Sequence, residues 1–416
     1  MLNVTWKSGG VLTWIYLSVF TVGLASSLPT ALAPVYLETL GYTGALIGLV
    51  NTLGWFSLAM SSLISGRVGD RYGLHIPLLF SIFTWFLAGL LVVFFENPLT
   101  AGLSIVLINA GLGFYTPPMV TALSMLVTNE EAGVYFSVYY SSSLAGSLLA
   151  AFLAGCIANV HGFKPLFLVM SMLSLVITPL VKIIRSVQFK REEVVKTGIS
   201  QFTSSFKMFV VGMALHEGGF AAIAPYISLY AYTDLKLNKF LVGLVVSAWN
   251  AGLLATQVPW GKVTDRVGAI KVLLLHLILS NLTWVSYPFS PSFNVAVALA
   301  FALGVGGSMD LPARRTAISI LTPPQLRGTA MGFLDFAVGV AGSAGYVLGG
   351  ITWDLLGHKA PFILSVILNT AGLPFITRCF LLSRESTPSL GNPSTRLCLL
   401  YTSPSPRDLS TSRMPS

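Results

Sequence analysis

Two ionisable side chains stand together inside the apolar stretch GMALHEGGFAAIAPY, and they are the first candidates for chemistry. His216 and Glu217 are adjacent, and Gly218 and Gly219 follow them. A carboxyl group beside an imidazole can hold a proton, a cation or a polar group of a bound molecule. The two glycines could loosen a helix there, so that its backbone lines a cavity. The alternative is a carboxylate neutralised in a helix contact, with a purely structural role.

A second group of ionisable side chains comprises Asp310, Arg314, Arg315 and Asp335. Asp310 and Arg314 are four residues apart, so on a helix they share one face and can pair. Asp335 lies about two helical turns inside the next apolar run, where it needs a partner, and Arg315 or Arg314 would supply one. The group has two possible roles. It forms a charge network that breaks during a working cycle or holds an anionic solute, or it forms a permanent structural brace.

Uncharged polar and aromatic side chains recur inside other apolar stretches. Each could contact a bound molecule or hydrogen-bond a neighbouring helix, and the helix contact is the commoner use. Tryptophans in the middle of an apolar run could line a cavity, whereas those at its ends are typical interface anchors. The cavity candidates are Asn51, Trp55, Asn109, Trp249, Asn250 and Asn369.

The composition places all these residues in a membrane protein. Charged residues make up 9% of the 416 residues and hydrophobic residues 54%, against roughly 25% charged residues in soluble domains. The net charge of +9 does not indicate nucleic-acid binding, because the basic residues fall in short connections between apolar runs. Cysteine spacing indicates neither a metal site nor disulfides, and no phosphate-binding glycine loop is present, so we expect no cofactor and no ATP-driven step.

Twelve apolar runs are long enough to cross a bilayer as helices, for which about 20 residues are needed. They lie near residues 11–33, 44–65, 76–95, 99–121, 135–158, 165–184, 206–231, 240–260, 270–288, 293–316, 329–353 and 361–382. We therefore expect an all-helical integral membrane protein. If the N-terminus is cytoplasmic, most basic residues of the connections lie on the cytoplasmic side, and the outer connections hold only Lys164, Lys236, Lys239 and Lys359. Cytoplasmic connections are typically the more basic ones, so we expect both termini in the cytoplasm.

The two halves of the chain are copies of each other. The sequence GRVGDRYG at residues 66–73 recurs as GKVTDRVG at residues 261–268, an offset of 195. The same offset relates further positions without a gap, among them Pro117 and Pro312, and Gly155 and Gly350. A six-span unit repeated in one orientation predicts two pseudo-symmetric six-helix bundles related by an axis along the membrane normal.

This pattern resembles the major facilitator superfamily. The residues that carry the resemblance are Gly66, Asp70, Arg71 and Gly73, with their copies Gly261, Asp265, Arg266 and Gly268. It implies a secondary transporter that moves a small solute by alternating access, working as a monomer in a plasma or inner membrane, and not an enzyme. In this family the motif braces an inner gate. We expect Asp70 at a helix N-terminus and Gly66 and Gly73 in a tight turn.

Two departures weaken one specific reading, a drug/proton antiporter. Leu107 stands where many proton-coupled members have arginine, and the fifth span lacks the Gly-Pro pair of drug/proton antiporters. Proton coupling and efflux remain expectations. The alternatives are an uncoupled facilitator, or a receptor or lipid flippase with a transporter fold.

The expected domain boundaries follow the spans. Residues 1–184 form the first bundle, 185–205 a cytoplasmic linker, 206–383 the second bundle and 384–397 a tail. We interpret residues 398–416 as the translation of a sequencing-library adapter, because the back-translated codons can spell one.

Overall fold

The computed structural model describes residues 5–127, 132–186, 202–323 and 326–385, and these residues contain helices and no strand. Within them, twelve helical segments are long and apolar enough to cross a membrane, as the sequence predicts. We number them spans 1 to 12. They are Gly10–Thr39, Gly44–Tyr72, His75–Phe94, Pro98–Leu126, Val134–His161, Lys164–Arg185, Ser204–Thr233, Lys239–Val267, Ala269–Phe289, Phe293–Leu321, Arg327–Leu356 and Ala360–Cys379.

Spans 2 and 8 run further than their apolar sequences predict. The expected ends were residues 65 and 260, but the helices continue to Tyr72 and Val267. A helix need not stop where its side chains become polar, because its backbone hydrogen bonds lie within the segment. Each helix ends instead at a glycine, Gly73 or Gly268, whose φ angles of 96° and 99° lie in the region that other residues rarely adopt.

Three spans contain a break or a tighter turn, and each lies beside a proline. Span 1 joins the helices Thr5–Thr30 and Ala33–Thr39, span 6 joins Lys164–Leu175 and Thr178–Ser186, and span 9 ends in the 3-10 turn Tyr287–Phe289. Pro34, Pro179 and Pro288 stand in the first turn after each break. A proline lacks the N–H that a helix interior needs but is tolerated in a first turn. The final helix, Ala360–Glu385, continues beyond span 12.

Equivalent spans pack in equivalent ways within the two halves. Span 2 packs along span 4, and its repeat, span 8, packs along span 10. Hydroxyl groups join both pairs: Ser65 Oγ donates to the Phe114 carbonyl over 2.9 Å, and Thr256 Oγ1 lies 2.7 Å from Ser308 Oγ. The first six and last six spans thus form the two pseudo-symmetric bundles that the repeat predicts. Most of the expected linker lies outside the described residues, as does the segment from residue 386 onward, so their boundaries stay predictions.

The two bundles meet through the same pair of contacts, repeated. Span 5 packs on span 8, and span 11 packs on span 2. A Cβ built on Gly155 would lie 3.0 Å from the Phe240 carbonyl oxygen, and one built on Gly350 would lie 2.7 Å from the Ala45 Cα. Gly155 and Gly350 are repeats of each other, as are Ala45 and Phe240. Only glycine allows helices to approach this closely, so the repeat extends to the contacts between the bundles.

These contacts lie on one side of the molecule. We call the side with the ends of spans 2 and 8 the motif side, and the opposite side the far side. On the far side, Asp354 of span 11 accepts the N–H groups of Gly44 and Ala45 at the start of span 2, both over 2.8 Å. On the motif side, a Cβ built on Gly66 or Gly261 would meet no atom within 4 Å. Spans of the two bundles are therefore in direct contact on the far side, whereas Gly66 and Gly261 make no such contact on the motif side.

Candidate functional site

A cavity of about 240 Å³ lies between the two bundles. Span 1 contributes Pro34, spans 2 and 4 contribute Asn51 and Asn109, and the second bundle contributes Trp249 and Tyr346. None of the described residues that line it carries a charge. Its wall is apolar and aromatic with a few amide and hydroxyl groups, which is the usual lining of a small-molecule site. Three of the six predicted cavity candidates therefore face this cavity.

The other three cavity candidates do not line it. Trp55 is not a lining residue, and its ring lies 6.1 Å from that of Tyr346, which does line the cavity. Asn250 is not a lining residue either, although its amide donates to its own helix as those of Asn51 and Asn109 do. Asn369 is completely buried in the second bundle, among spans 7, 9 and 12. For Asn369 the expectation is wrong, and for Trp55 and Asn250 it stays a prediction, because hydropathy does not reveal which face of a helix points to the cavity.

A second cavity, of about 260 Å³, lies inside the second bundle. His216 and Glu217 of span 7, His276 of span 9 and Asp310 of span 10 line it. Trp249 lines both cavities. The uncharged cavity between the bundles and the ionisable cavity within one bundle therefore share a wall.

Arg314 holds two carboxylates at the edge of the second cavity. Its Nε donates to Asp310 Oδ1 over 3.0 Å, and its Nη2 donates to Asp310 Oδ2 and, over 3.1 Å, to Glu217 Oε2. The pairing of Asp310 with Arg314 is the one that their spacing predicts. The contact with Glu217 links span 10 to span 7. Side-chain exposures are 13% for Arg314, 14% for Glu217 and 19% for Asp310, so this is a mostly desolvated ion triad.

The predicted ion pair of Asp335 with Arg315 or Arg314 does not form. Among the described residues no basic group lies within ion-pair distance of Asp335, although Arg314 and Arg315 both influence it electrostatically. Arg314 is occupied by the other two carboxylates. Arg315 turns to the first bundle, where it donates to the Tyr140 hydroxyl over 2.9 Å and lies 5.2 Å from the centre of that ring. Arg315 thus links the two bundles instead of forming the expected ion pair with Asp335.

The imidazole of His216 pairs with a second histidine and not with its neighbour Glu217. Its Nε2 lies 3.0 Å from Nε2 of His276, and its Nδ1 lies 2.9 Å from Oδ1 of Asn369. Sequence reasoning missed His276, although it stands in the apolar run LLLHLIL and the rule that singled out His216 applies to it equally. The pairing of these two histidines, 60 residues apart, depends on how spans 7 and 9 pack.

The glycines after Glu217 do not loosen the helix. Span 7 is one continuous helix, Ser204–Thr233. A Cβ on Gly218 would lie 3.2 Å from the Ala341 carbonyl oxygen, and one on Gly219 would lie 2.7 Å from the Ser365 carbonyl oxygen. The two glycines let spans 11 and 12 approach span 7, and this packing holds Glu217 in place.

The repeated motif occupies the last turns of spans 2 and 8. Asp70 and Arg71, like Asp265 and Arg266, lie at helix C-termini, so the expectation of Asp70 at a helix N-terminus is wrong. Gly66 is helical and takes no part in the turn, which Gly73 alone provides. A basic residue at a helix C-terminus is favourable, so Arg71 and Arg266 suit their positions.

Comparison with known proteins agrees with this architecture. The sequence model of the Major Facilitator Superfamily matches residues 15–210 and 209–411. The second match extends into residues that the structure does not describe, and the adapter interpretation of residues 398–416 stays a prediction.

Two relatives carry the name multidrug resistance protein MdtG. The protein from Enterobacter lignolyticus (strain SCF1) is 24% identical over 381 residues, which cover 88% of this chain and 90% of the relative. The protein from Citrobacter koseri is 25% identical over 378 residues, which cover 86% and 91%.

Two solved transporters share the fold. A bacterial homolog to the human lysosomal transporter Spinster, in an inward-facing and occupied conformation, gives a TM-score of 0.73 at 14% identity over 90% of this chain and 98% of that one. A POT family transporter in complex with 5-aminolevulinic acid gives 0.73 at 13% identity over 90% and 96%.

Proposed function

This chain belongs to the Major Facilitator Superfamily and is a membrane transporter, and from that premise we propose that it exports apolar or weakly polar small molecules in exchange for protons. It would do so as a monomer, because one chain supplies both bundles and both cavities. The names of the MdtG relatives, which refer to multidrug resistance, support an exporter.

One observation carries the proposal: the uncharged cavity and the ionisable cavity share Trp249. A solute in the first cavity would lie against this ring, which meets Phe220 edge-on at 5.7 Å between ring centres. Phe220 and Trp249 both border the ionisable groups of the second cavity. Binding of a solute can therefore alter the space around those groups, which is what coupling requires.

The tight contacts between the bundles on the far side support alternating access, because they form a closure that can part. The basic residues of the connections favour the motif side as cytoplasmic. In that orientation the tight far-side contacts close the outer side, and an exporter would load its solute from the cytoplasmic side. Release would require the contacts at Gly155, Gly350 and Asp354 to part while the motif side closes.

The test is uphill transport by the full chain in liposomes. A pH difference of one unit is imposed, and a panel of neutral lipophilic fluorescent dyes is supplied. One unit is worth about 1.4 kcal/mol, which supports up to about tenfold accumulation of a neutral solute exchanged for one proton. We expect accumulation that collapses with the pH difference, in the wild type and in the control Glu38→Gln, a far-side carboxyl.

In Glu217→Gln we expect this accumulation to be lost, because the variant removes one of the two carboxylates of the ion triad. Dyes that merely equilibrate in the wild type would identify a facilitator. Movement of labelled lipid alone would identify a flippase. Either result would reject proton-coupled export.

A further inference from the structure

An unbroken chain of hydrogen bonds crosses the second bundle through two buried histidines. It runs from the Gly306 carbonyl of span 10 to His276, then to His216, and then to Asn369 of span 12. The exposed fractions are 3% for His276, 4% for His216 and 0% for Asn369. Buried groups of this kind are held by their partners, so those partners determine which ring nitrogens carry protons.

Asn369 fixes the proton on one side of His216. Its Nδ2 donates over 2.8 Å to the Leu277 backbone carbonyl, which can only accept, and over 2.8 Å to Asn281 Oδ1. The amide oxygen of Asn369 must therefore be the atom that faces His216. Since an amide oxygen only accepts, His216 Nδ1 must donate across the 2.9 Å contact.

The Gly306 carbonyl fixes the proton on the outer side of His276. This oxygen lies 2.8 Å from His276 Nδ1, and a carbonyl oxygen only accepts, so Nδ1 must carry a proton. Ser280 Oγ lies further from the same nitrogen, at 3.4 Å, and can share that proton as a second acceptor.

The remaining nitrogens require a third proton. The two Nε2 atoms face each other at 3.0 Å, and two bare lone pairs at that distance would repel. One proton must lie between them, donated by one ring and accepted by the other. Two neutral imidazoles hold two ring protons, so three protons give the pair a single positive charge.

The surrounding charges balance this proton. Asp310 and Glu217 contribute two negative charges and Arg314 one positive charge. This leaves one negative charge beside the pair of His216 and His276, which we call the dyad. On the neighbouring faces, Asp335 of span 11 and Arg315 of span 10 add one charge of each sign. The indole of Trp284 stacks on His216 at 5.5 Å between ring centres, and the face of an indole attracts a cation.

We propose that His216 and His276 together bind the coupled proton, with the ion triad of Glu217, Arg314 and Asp310 as the counter-charge. The inference rests on the proposed proton coupling and names its site. Both rings line the cavity that shares Trp249 with the solute cavity. The proton leaves an Nε2 atom for water in that cavity and returns by the same route, with no other covalent bond made or broken.

Loss of this proton gives a structural response. The two Nε2 lone pairs then face each other without a proton between them, so one ring must rotate or spans 7 and 9 must separate. Rotation of His216 would also break its bond to Asn369 of span 12. The dyad thereby links proton release to a rearrangement of three spans.

The proton count can be measured directly. His75, His161 and His358 are the other histidines of the chain. The full chain with His75→Gln, His161→Gln and His358→Gln, labelled with ¹⁵N-histidine in lipid bilayers, leaves the dyad as the sole source of ring-nitrogen signals. At neutral pH we expect three protonated nitrogens out of four, and two after alkaline titration. Two protonated nitrogens at neutral pH would overturn the inference without reference to transport.

Transport assays test the coupling role. We expect the triple variant to accumulate dye under a pH difference like the wild type. In His276→Gln the accumulation driven by a pH difference of one unit, up to about tenfold, should be lost. Exchange of dye between equal concentrations on the two sides of the membrane should remain. Retained accumulation in His276→Gln would overturn the inference while the proposed function stands. No pH-driven accumulation in the wild type would reject the proposed function itself. If His276→Gln fails to fold, His216→Asn provides a second variant, and retained accumulation in it would likewise overturn the inference.

Discussion

At the scale of single residues, Arg314 determines whether the second bundle can hold its carboxylates. It donates to both Asp310 and Glu217, and all three side chains are largely buried. Two carboxylates left without a cation in a desolvated site cost far more than the ion pair contributes. The same triad provides the negative charge that the histidine dyad balances, so one arginine serves both stability and proton binding.

Replacing Arg314 with methionine should therefore destabilise the protein strongly. We expect a loss of about 3–5 kcal/mol, because both carboxylates lose their partner. The control is the triple variant Arg314→Met, Asp310→Asn and Glu217→Gln, in which no carboxylate is left without its arginine. Thermal unfolding in detergent should show the single variant as the less stable of the two. Equal stability would mean that the triad is not desolvated.

At the scale of helices, the contacts between bundles depend on glycine pairs on the far side. A Cβ on Gly243 would lie 2.6 Å from the Cα of Gly155. Spans 5 and 8 cannot keep that distance with a larger residue, since overpacking typically costs about 1–3 kcal/mol. The equivalent contact of Gly350 with span 2 supports the far side at the symmetric position. The far-side closure is thus a property of two packed helix pairs.

The variant Gly243→Val should shift the protein towards a state that is open on the far side. Spin labels at Thr39→Cys and Lys359→Cys, in a chain without Cys156, Cys379 and Cys398, report the far-side distance between the bundles. We expect this distance to increase. The matched control is Gly332→Val in span 11, where an added Cβ meets no atom within 4 Å. An unchanged distance in Gly243→Val would contradict the proposed role of the glycine pair.

At the scale of the whole molecule, two cavities and one closed side suggest how transport and proton binding are joined. The solute cavity takes its walls from both bundles, so it exists only while the bundles are correctly placed. The proton site lies within the second bundle and borders the solute cavity at Trp249. We therefore expect a rearrangement of spans 7, 9 and 12 on proton release to alter the solute cavity.

The sequence alone predicts the spans, the repeat and the Asp310–Arg314 pair, because hydropathy, spacing and helical periodicity are local properties. It fails where tertiary packing decides. Glu217 meets Arg314 across 97 positions, and His216 meets His276 across 60. Asp70 was expected at a helix N-terminus because the end of an apolar run was equated with the end of a helix. Which residues face a cavity, as Asn51 does and Asn369 does not, depends on helix rotation that one sequence does not reveal.

Proton movement driven by solute tests the central claim most directly. The full chain is placed in liposomes that contain a pH-sensitive dye, with no initial pH difference, and a neutral lipophilic solute that the protein moves is added on one side. Proton-coupled export predicts that protons leave the liposomes as the solute enters, so the dye reports a rise in internal pH. This rise should be absent in His276→Gln. Solute uptake measured by isotope with no pH change in the wild type would contradict the account and leave an uncoupled facilitator.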